Sequence, residues 1–159
     1  RTPLRAGDFE SPASASSATP AKDKLYNIFT RLQGGLTLRR INVAIAGLGK
    51  VGSQFLQALL SVNSENVKII AVAEPREELE SVKLAKERGI AYFRDARDML
   101  RALEDSIDVL FELTGNAVIR TELHEILSQS SNRKTVIVPE PVAYLIWSLI
   151  AQNKGEGAK

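Results

Sequence analysis

Ile41-Asn42-Val43-Ala44-Ile45-Ala46-Gly47-Leu48-Gly49-Lys50-Val51-Gly52 is the stretch on which the fold of this chain turns. Its first half, Ile41 to Ala46, is an apolar run with β-branched residues, the pattern of a strand buried on both faces. Its second half, Gly47 to Gly52, reads G-x-G-x-x-G. Alone such a match says little, because glycine is common. Between a buried strand and the start of a helix it has a mechanism. Gly47 permits a tight turn out of the strand, and Gly49 lacks the side chain that would keep the backbone away from a pyrophosphate. Gly52 lets the helix pack closely on the sheet. N–H groups at the helix start then meet the phosphates, aided by the helix dipole. Leu48, Lys50 and Val51 complete the loop, with Lys50 a phosphate-side or solvent-facing charge. The competing reading is a glycine-rich turn that holds no ligand.

Outward from this stretch the chain alternates between two periods. Residues 53–62 read as a helix, 67–73 as a second apolar strand, and 76–88 as a charged amphipathic helix closed by Gly89. A short third strand over 90–93 precedes a helix over 96–104. A fourth strand over 107–113, a helix over 118–128 and a fifth strand over 135–138 follow. Pro141 then admits a last apolar helix over 142–152. Strict alternation predicts an α/β, doubly wound (Rossmann-type), mainly parallel five-stranded sheet with helices on both faces. Right-handed crossovers give the strand order 3-2-1-4-5.

That topology assigns meaning to two more strand ends. The second strand closes Val72-Ala73-Glu74, placing a carboxylate about 20 residues past the last glycine of the motif. A carboxylate there accepts hydrogen bonds from the adenosine ribose and repels a 2′-phosphate, which favours NAD over NADP. Arg76 complicates this, since an arginine there can meet that phosphate or stack on adenine. The fourth strand closes on Thr114-Gly115-Asn116. In a doubly wound sheet the ligand lies at the order reversal, between strands one and four, so these three residues would face the glycine loop. Turn chemistry alone explains a Gly-Asn pair equally well.

The rest of the composition mainly excludes. The chain has no cysteine, so disulfides, thiol catalysis and a cysteine zinc site are ruled out. Its single histidine, His124, sits in a polar helical stretch and reads as a surface residue; no metal site is expected. A net charge of +2 without a dense basic stripe gives no reason to expect nucleic acid as a partner. No apolar run reaches the about 18 residues of a membrane span, and a cytoplasmic location is expected. Residues 1–21, rich in Ser, Ala and Pro, read as a disordered tail or linker. Residues 22–36 carry Leu25, Ile28, Phe29, Leu32 and Leu36 on one helical face and, with a connector to 39, precede the domain over 40–153. Residues 154–159 read as a tail. The first residue is Arg, which suggests a piece of a longer product.

VAIAGLGKVG (43–52), AVAEP (71–75) and FELTGN (111–116) together resemble the NAD-binding domains of homoserine and aspartate dehydrogenases and of the glucose–fructose oxidoreductase group. The likeness covers about residues 41–143 and implies fold and cofactor more than activity. In those enzymes most catalytic groups lie in a second, α+β domain. The glucose–fructose oxidoreductase group also has a Glu-Lys-Pro motif after strand five, with the lysine as proton donor. This chain has Pro139-Glu140-Pro141 there, with Glu140 in place of the lysine, so that activity is not carried over. Thr114-Gly115-Asn116 and Ala143-Tyr144-Leu145-Ile146-Trp147 also resemble Rossmann modules of bacterial signalling proteins.

Two functions follow as expectations. One is an NAD(H)-binding sensor or regulatory module, acting on a second copy or an adjoining domain through the apolar helices that flank it. The other is the cofactor half of an NAD(P)-dependent dehydrogenase whose catalytic domain lies elsewhere. No residue stands out as a proton donor; Glu140 and Tyr144 qualify by position alone, and read more simply as helix-entry packing.

Overall fold

Five parallel strands form a single sheet in the order β3-β2-β1-β4-β5 in the computed structural model, which describes residues 39–156. The strands are β1 (Ile41–Ala46), β2 (Val67–Ala73), β3 (Ala91–Phe93), β4 (Val109–Glu112) and β5 (Val136–Pro139). Between and after them run α1 (Lys50–Val62), α2 (Glu80–Glu87), α3 (Ala96–Leu103), α4 (Ala117–Gln129) and α5 (Glu140–Glu156). The doubly wound order expected from the alternation is therefore the one observed. β1 lies at the centre, in register with β2 on one side and β4 on the other, so Ala46 faces Ala73 and Glu112 across the ladders. The expected tail over 1–21 and the helix over 22–36 lie outside the described residues. Residues 40–156 belong to a compact unit of their own.

The period of two along β1 sorts its side chains between two cores. Val43 and Ile45 join Phe55 and Leu56 of α1, Val82 of α2 and Ala143 of α5 on one face. Ala44 and Ala46, with Ala71 and Ala73 of β2, meet Met99 and Leu100 of α3 and Leu123 of α4 on the other. Four alanines on that face let α3 and α4 approach the sheet closely. Phe55 meets Phe111 of β4 edge-on, with ring centroids 4.6 Å apart. Each large side chain buried this way contributes about 1.5–3 kcal/mol, so the β1–α1–β4 centre carries a large share of the core's stabilisation.

Several element ends differ from the sequence reading, each for a local reason. α1 starts at Lys50 rather than 53, because Gly49 itself serves as the N-cap in an extended conformation. α2 starts at Glu80 rather than 76. The Glu74 side chain accepts the Arg76 N–H at 3.3 Å, holding the chain in a turn after Pro75, and Leu79 becomes the cap. Gly89, at φ +72°, closes α2 as expected. α5 spans Glu140–Glu156 rather than 142–152. Pro141 is tolerated in the first turn, where its missing N–H has no intrahelical partner to lose. The helix thus runs into the segment expected to be a tail, as far as Glu156. Among the described residues, no helix is long and apolar enough to cross a membrane.

Candidate nucleotide-binding site

Each glycine of the loop between β1 and α1 has a separate physical task. Gly47 sits at φ +91°, and a Cβ there would lie 2.7 Å from the Leu113 carbonyl carbon and oxygen and 2.8 Å from the Thr114 Cα. The loop can touch the end of β4 only because this residue has no side chain. A Cβ on Gly52 would stand 1.8 Å from the Gly47 carbonyl oxygen. Around Gly49, among the described residues and beyond its own chain neighbours, such a Cβ meets Nη2 of Arg76 at 3.4 Å and nothing nearer. Two glycines thus close the turn, and the middle one leaves space open. α1 receives no side-chain cap at its N-terminus and carries no acid in its first turn, so its first N–H groups and its dipole face outward unopposed.

Leu48 has a role the motif does not announce. Its side chain is buried in the core. Its backbone is held at both of its peptides: the N–H donates to Oε2 of Glu74 at 2.7 Å, and the carbonyl accepts from the Ser81 hydroxyl at 3.2 Å. The loop is fixed before any ligand arrives.

Glu74, at the end of β2, is only 2% exposed. Besides Leu48 it accepts from the Arg76 backbone N–H at 3.3 Å and from Arg76 Nε at 2.7 Å. Tyr92 donates its hydroxyl to the Glu74 carbonyl at 2.8 Å. Burial pushes the carboxyl upward, but the bonds from Arg76 and Leu48 outweigh it and hold the group below its ordinary value. Glu74 and Arg76, taken in sequence as separate contacts to ribose and phosphate, are therefore one ion pair.

The end of β4 repeats the arrangement. Glu112 is wholly buried, and its Oε1 accepts from both the N–H and the hydroxyl of Thr114. Its Oε2 accepts from Arg120 Nε at 2.7 Å. Here too burial raises the carboxyl and the bonds from Thr114 and Arg120 more than reverse it. Thr114 Oγ1 in turn accepts from the Asn116 N–H at 3.1 Å. Asn116 caps α4, taking the Val118 N–H at 2.9 Å and the Ile119 N–H at 3.4 Å. Gly115, at φ +66°, makes the turn between them. The turn chemistry open to this stretch is thus realised, and the hydroxyl of Thr114 is spent inside the loop.

A cleft of about 350 Å³ runs between the two loops, lined by Gly47, Gly49, Glu74, Arg76, Thr114 and Asn116 among others. Arg94 and Arg97 border its outer end. The first is paired with Glu77, and the second with Asp95 and Glu122. Lys50 is exposed at the first residue of α1, whereas Leu48 and Gly52 lie beneath the loop surface and Val51 faces α5. Glu140 and Tyr144 are not on the cleft: Tyr144 lies beside Val51, Gln54 and Trp147, between α1 and α5. His124 is exposed on α4. A larger groove, about 660 Å³, lies between the far ends of α3 and α4, away from the glycine loop.

Ser81 and Glu112 are the residues that sequence reasoning missed. Ser81 carries no local signal, because its partner Leu48 is remote in the chain. Glu112 carries one: an acid inside the apolar run Val109-Leu110-Phe111-Glu112-Leu113 must find a partner if that run is buried.

The depressed carboxyls give the domain an acid limit. A group whose folded value lies below its unfolded value adds stability above the unfolded value and loses it as pH falls. Denaturation midpoints are expected to decline once pH drops below about 4.5, and the slope should shrink when both Glu74→Gln and Glu112→Gln are introduced. An unchanged slope in that double variant would mean these two carboxylates are not held as described.

The family of homoserine dehydrogenase NAD-binding domains matches residues 47–146, more than half of the chain. The chain belongs to that family. The match runs from the first glycine of the loop to the middle of α5, and so takes in both strand ends that border the cleft. This is an NAD-binding domain. Among solved structures it is similar to Staphylococcus aureus homoserine dehydrogenase, at 17% identity and a TM-score of 0.46, over 74% of this chain and 31% of that one. It is similar to GenD2 from gentamicin A biosynthesis in complex with NAD, at 17% identity and a TM-score of 0.48, over 65% of this chain and 28% of that one. It is also similar to RSP in complex with beta-NAD+ and operator DNA, at 15% identity and a TM-score of 0.47, over 86% of this chain and 66% of that one. The chain thus spans about a third of the length of the first two and about two thirds of the third. No curated protein matches it.

Proposed function

We propose that the cleft holds NAD(H) with its diphosphate over residues 47–52, its adenosine toward Glu74 and Arg76, and its nicotinamide half toward Thr114, Gly115 and Asn116. The observation that carries this is the uncapped start of α1 opening over a loop whose Leu48 backbone is clamped by Glu74 and Ser81. Such a loop needs no reorganisation to take an anion, and Lys50 adds a positive charge at the same end. A carboxylate offers about four acceptor sites, of which Glu74 uses three, so one remains for a ribose hydroxyl. The same charge disfavours a 2′-phosphate, which supports NAD over NADP.

The test is a calorimetric titration of the full chain with NAD, NADH, NADP, NADPH and CoA. NAD(H) should bind most tightly, and the absence of heat from all five would end the reading. In Glu74→Ala, NAD affinity should fall by about tenfold or more and the preference over NADP should shrink. Affinities equal to those of the parent would remove Glu74 from the site.

The module serves as a nucleotide-responsive element of a larger assembly. α5 packs on α1, the helix that receives the phosphates, and turns Val142, Leu145 and Leu149 to solvent. That apolar side is where an adjoining domain or a second copy would meet the NAD-binding unit. A marked preference for NAD or NADH would support sensing. Equal affinities would favour the second reading, the cofactor half of an NAD-dependent dehydrogenase, to which family membership also lends support.

A further inference from the structure

Three polar side chains are buried among the described residues: Glu74, Ser81 and Glu112. The first two clamp the glycine loop. Glu112 is the most enclosed of the three, and nothing in the nucleotide reading calls for it. An ionised carboxylate is costly to bury, and an apolar residue would pack the same position more cheaply. Its register neighbours on β1 and β5 are Ala46 and Pro139, so the sheet does not require an acid at this level.

What the carboxylate does, and an apolar side chain would not, is hold the loop beyond it. It takes the N–H and the hydroxyl of Thr114 and anchors both to Arg120 of α4. Thr114 passes the constraint on by accepting the Asn116 N–H. Leu113, between Glu112 and Thr114, has its backbone against Gly47, with no room for a Cβ. Glu112 therefore fixes one wall of the cleft relative to the glycine loop, as Glu74 and Ser81 fix the other. The two walls differ in what they would touch. Glu74 lies on the adenosine side, beyond β2, and the 113–116 loop lies on the opposite side, beyond β4.

We infer that Glu112 is a positioning residue for the nicotinamide half of the dinucleotide, acting through Thr114 to hold the 113–116 loop as the wall on which that half rests. This builds on the NAD(H) reading of the cleft. Glu112 itself touches no ligand. In a glutamine here one of the two acceptor oxygens becomes a donating NH2, so Thr114 and Arg120 cannot both keep their acceptor, and the wall loses its fixed shape. The adenosine side shares none of these bonds.

The experiment compares NAD with ADP, which lacks the nicotinamide half, on the full chain. The parent should bind NAD more tightly than ADP. In Glu112→Gln the NAD dissociation constant should rise about tenfold, toward that of ADP, while the ADP constant stays at its parental value. Thr114→Val, a change at a partly exposed residue, should reproduce the pattern if Glu112→Gln fails to fold, and Thr114→Ser should recover most of the loss. Equal weakening of both ligands would reduce Glu112 to a general support of the fold. An unchanged NAD constant, or a serine as damaging as valine, would also overturn the inference. If the parent binds ADP as tightly as NAD, there is no nicotinamide contribution to position; the inference then fails while the cleft remains a nucleotide site. A parent that binds neither overturns both.

Discussion

Replacing Gly52 by alanine is expected to cost the domain more than about 3 kcal/mol of stability. The added Cβ would stand 1.8 Å from the Gly47 carbonyl oxygen, well inside contact distance. Neither partner can yield. Gly52 lies in the first turn of α1, whose Phe55 and Leu56 are buried against the sheet. Gly47 is held at φ +91° with its N–H on the Ala73 carbonyl at 2.8 Å. Moving the loop outward would break the Leu48–Glu74 bond and leave a buried carboxylate short of a donor. Moving α1 outward would open the centre of the core. Small domains are stable by about 5–15 kcal/mol, so the variant should be largely unfolded or melt far below the parent. Urea denaturation followed by far-ultraviolet circular dichroism measures this. A midpoint equal to that of the parent would mean that the loop does not approach the helix as described.

The contrast among the three glycines marks how much of this molecule can be read from its sequence. A buried strand, a glycine loop and an amphipathic helix are local patterns, so β1, the loop and α1 are legible together, and the handedness of crossovers then orders the strands. Helix ends were harder. The start of α2 depends on a side chain outside the helix, because Glu74 captures the Arg76 N–H and delays it. The site was legible as positions and not as partnerships. Glu74 could be assigned to the end of β2, but its bond to Leu48 joins residues just beyond the ends of two separate strands. Ser81 reaches the next peptide of the same residue from α2. Only the assembled sheet brings the three together. Thr114 is the clearest case: its type and position suit ligand contact, yet its hydroxyl is consumed by Glu112 and Asn116.

Gly49→Val separates binding from folding in the opposite sense to Gly52→Ala. A Cβ at Gly49 meets the tip of the Arg76 guanidinium at 3.4 Å, an ordinary contact distance, and that Nη2 end can give by a few tenths of an ångström while Nε keeps its bond to Glu74. The residue is an N-cap in an extended conformation, with φ −65° and ψ −158°, so an L side chain is not strained by φ. Valine at an N-cap costs α1 little here, since glycine offers no side-chain cap to lose; about 1 kcal/mol is the expected scale. The cleft pays far more heavily. The two γ-carbons would stand over the start of α1, where the backbone must come close to a diphosphate to use its N–H groups. NAD affinity should fall by about a hundredfold or more, the loss of two or more charge-assisted hydrogen bonds. The melting temperature without ligand should stay within a few degrees of the parent. Calorimetry and thermal unfolding on the same sample decide between the alternatives. An unchanged dissociation constant would make the loop purely structural, and a collapse in melting temperature would mean that Gly49, like Gly52, is required by the fold. Loss of binding with the fold retained is the result that ties the open middle glycine to the nucleotide.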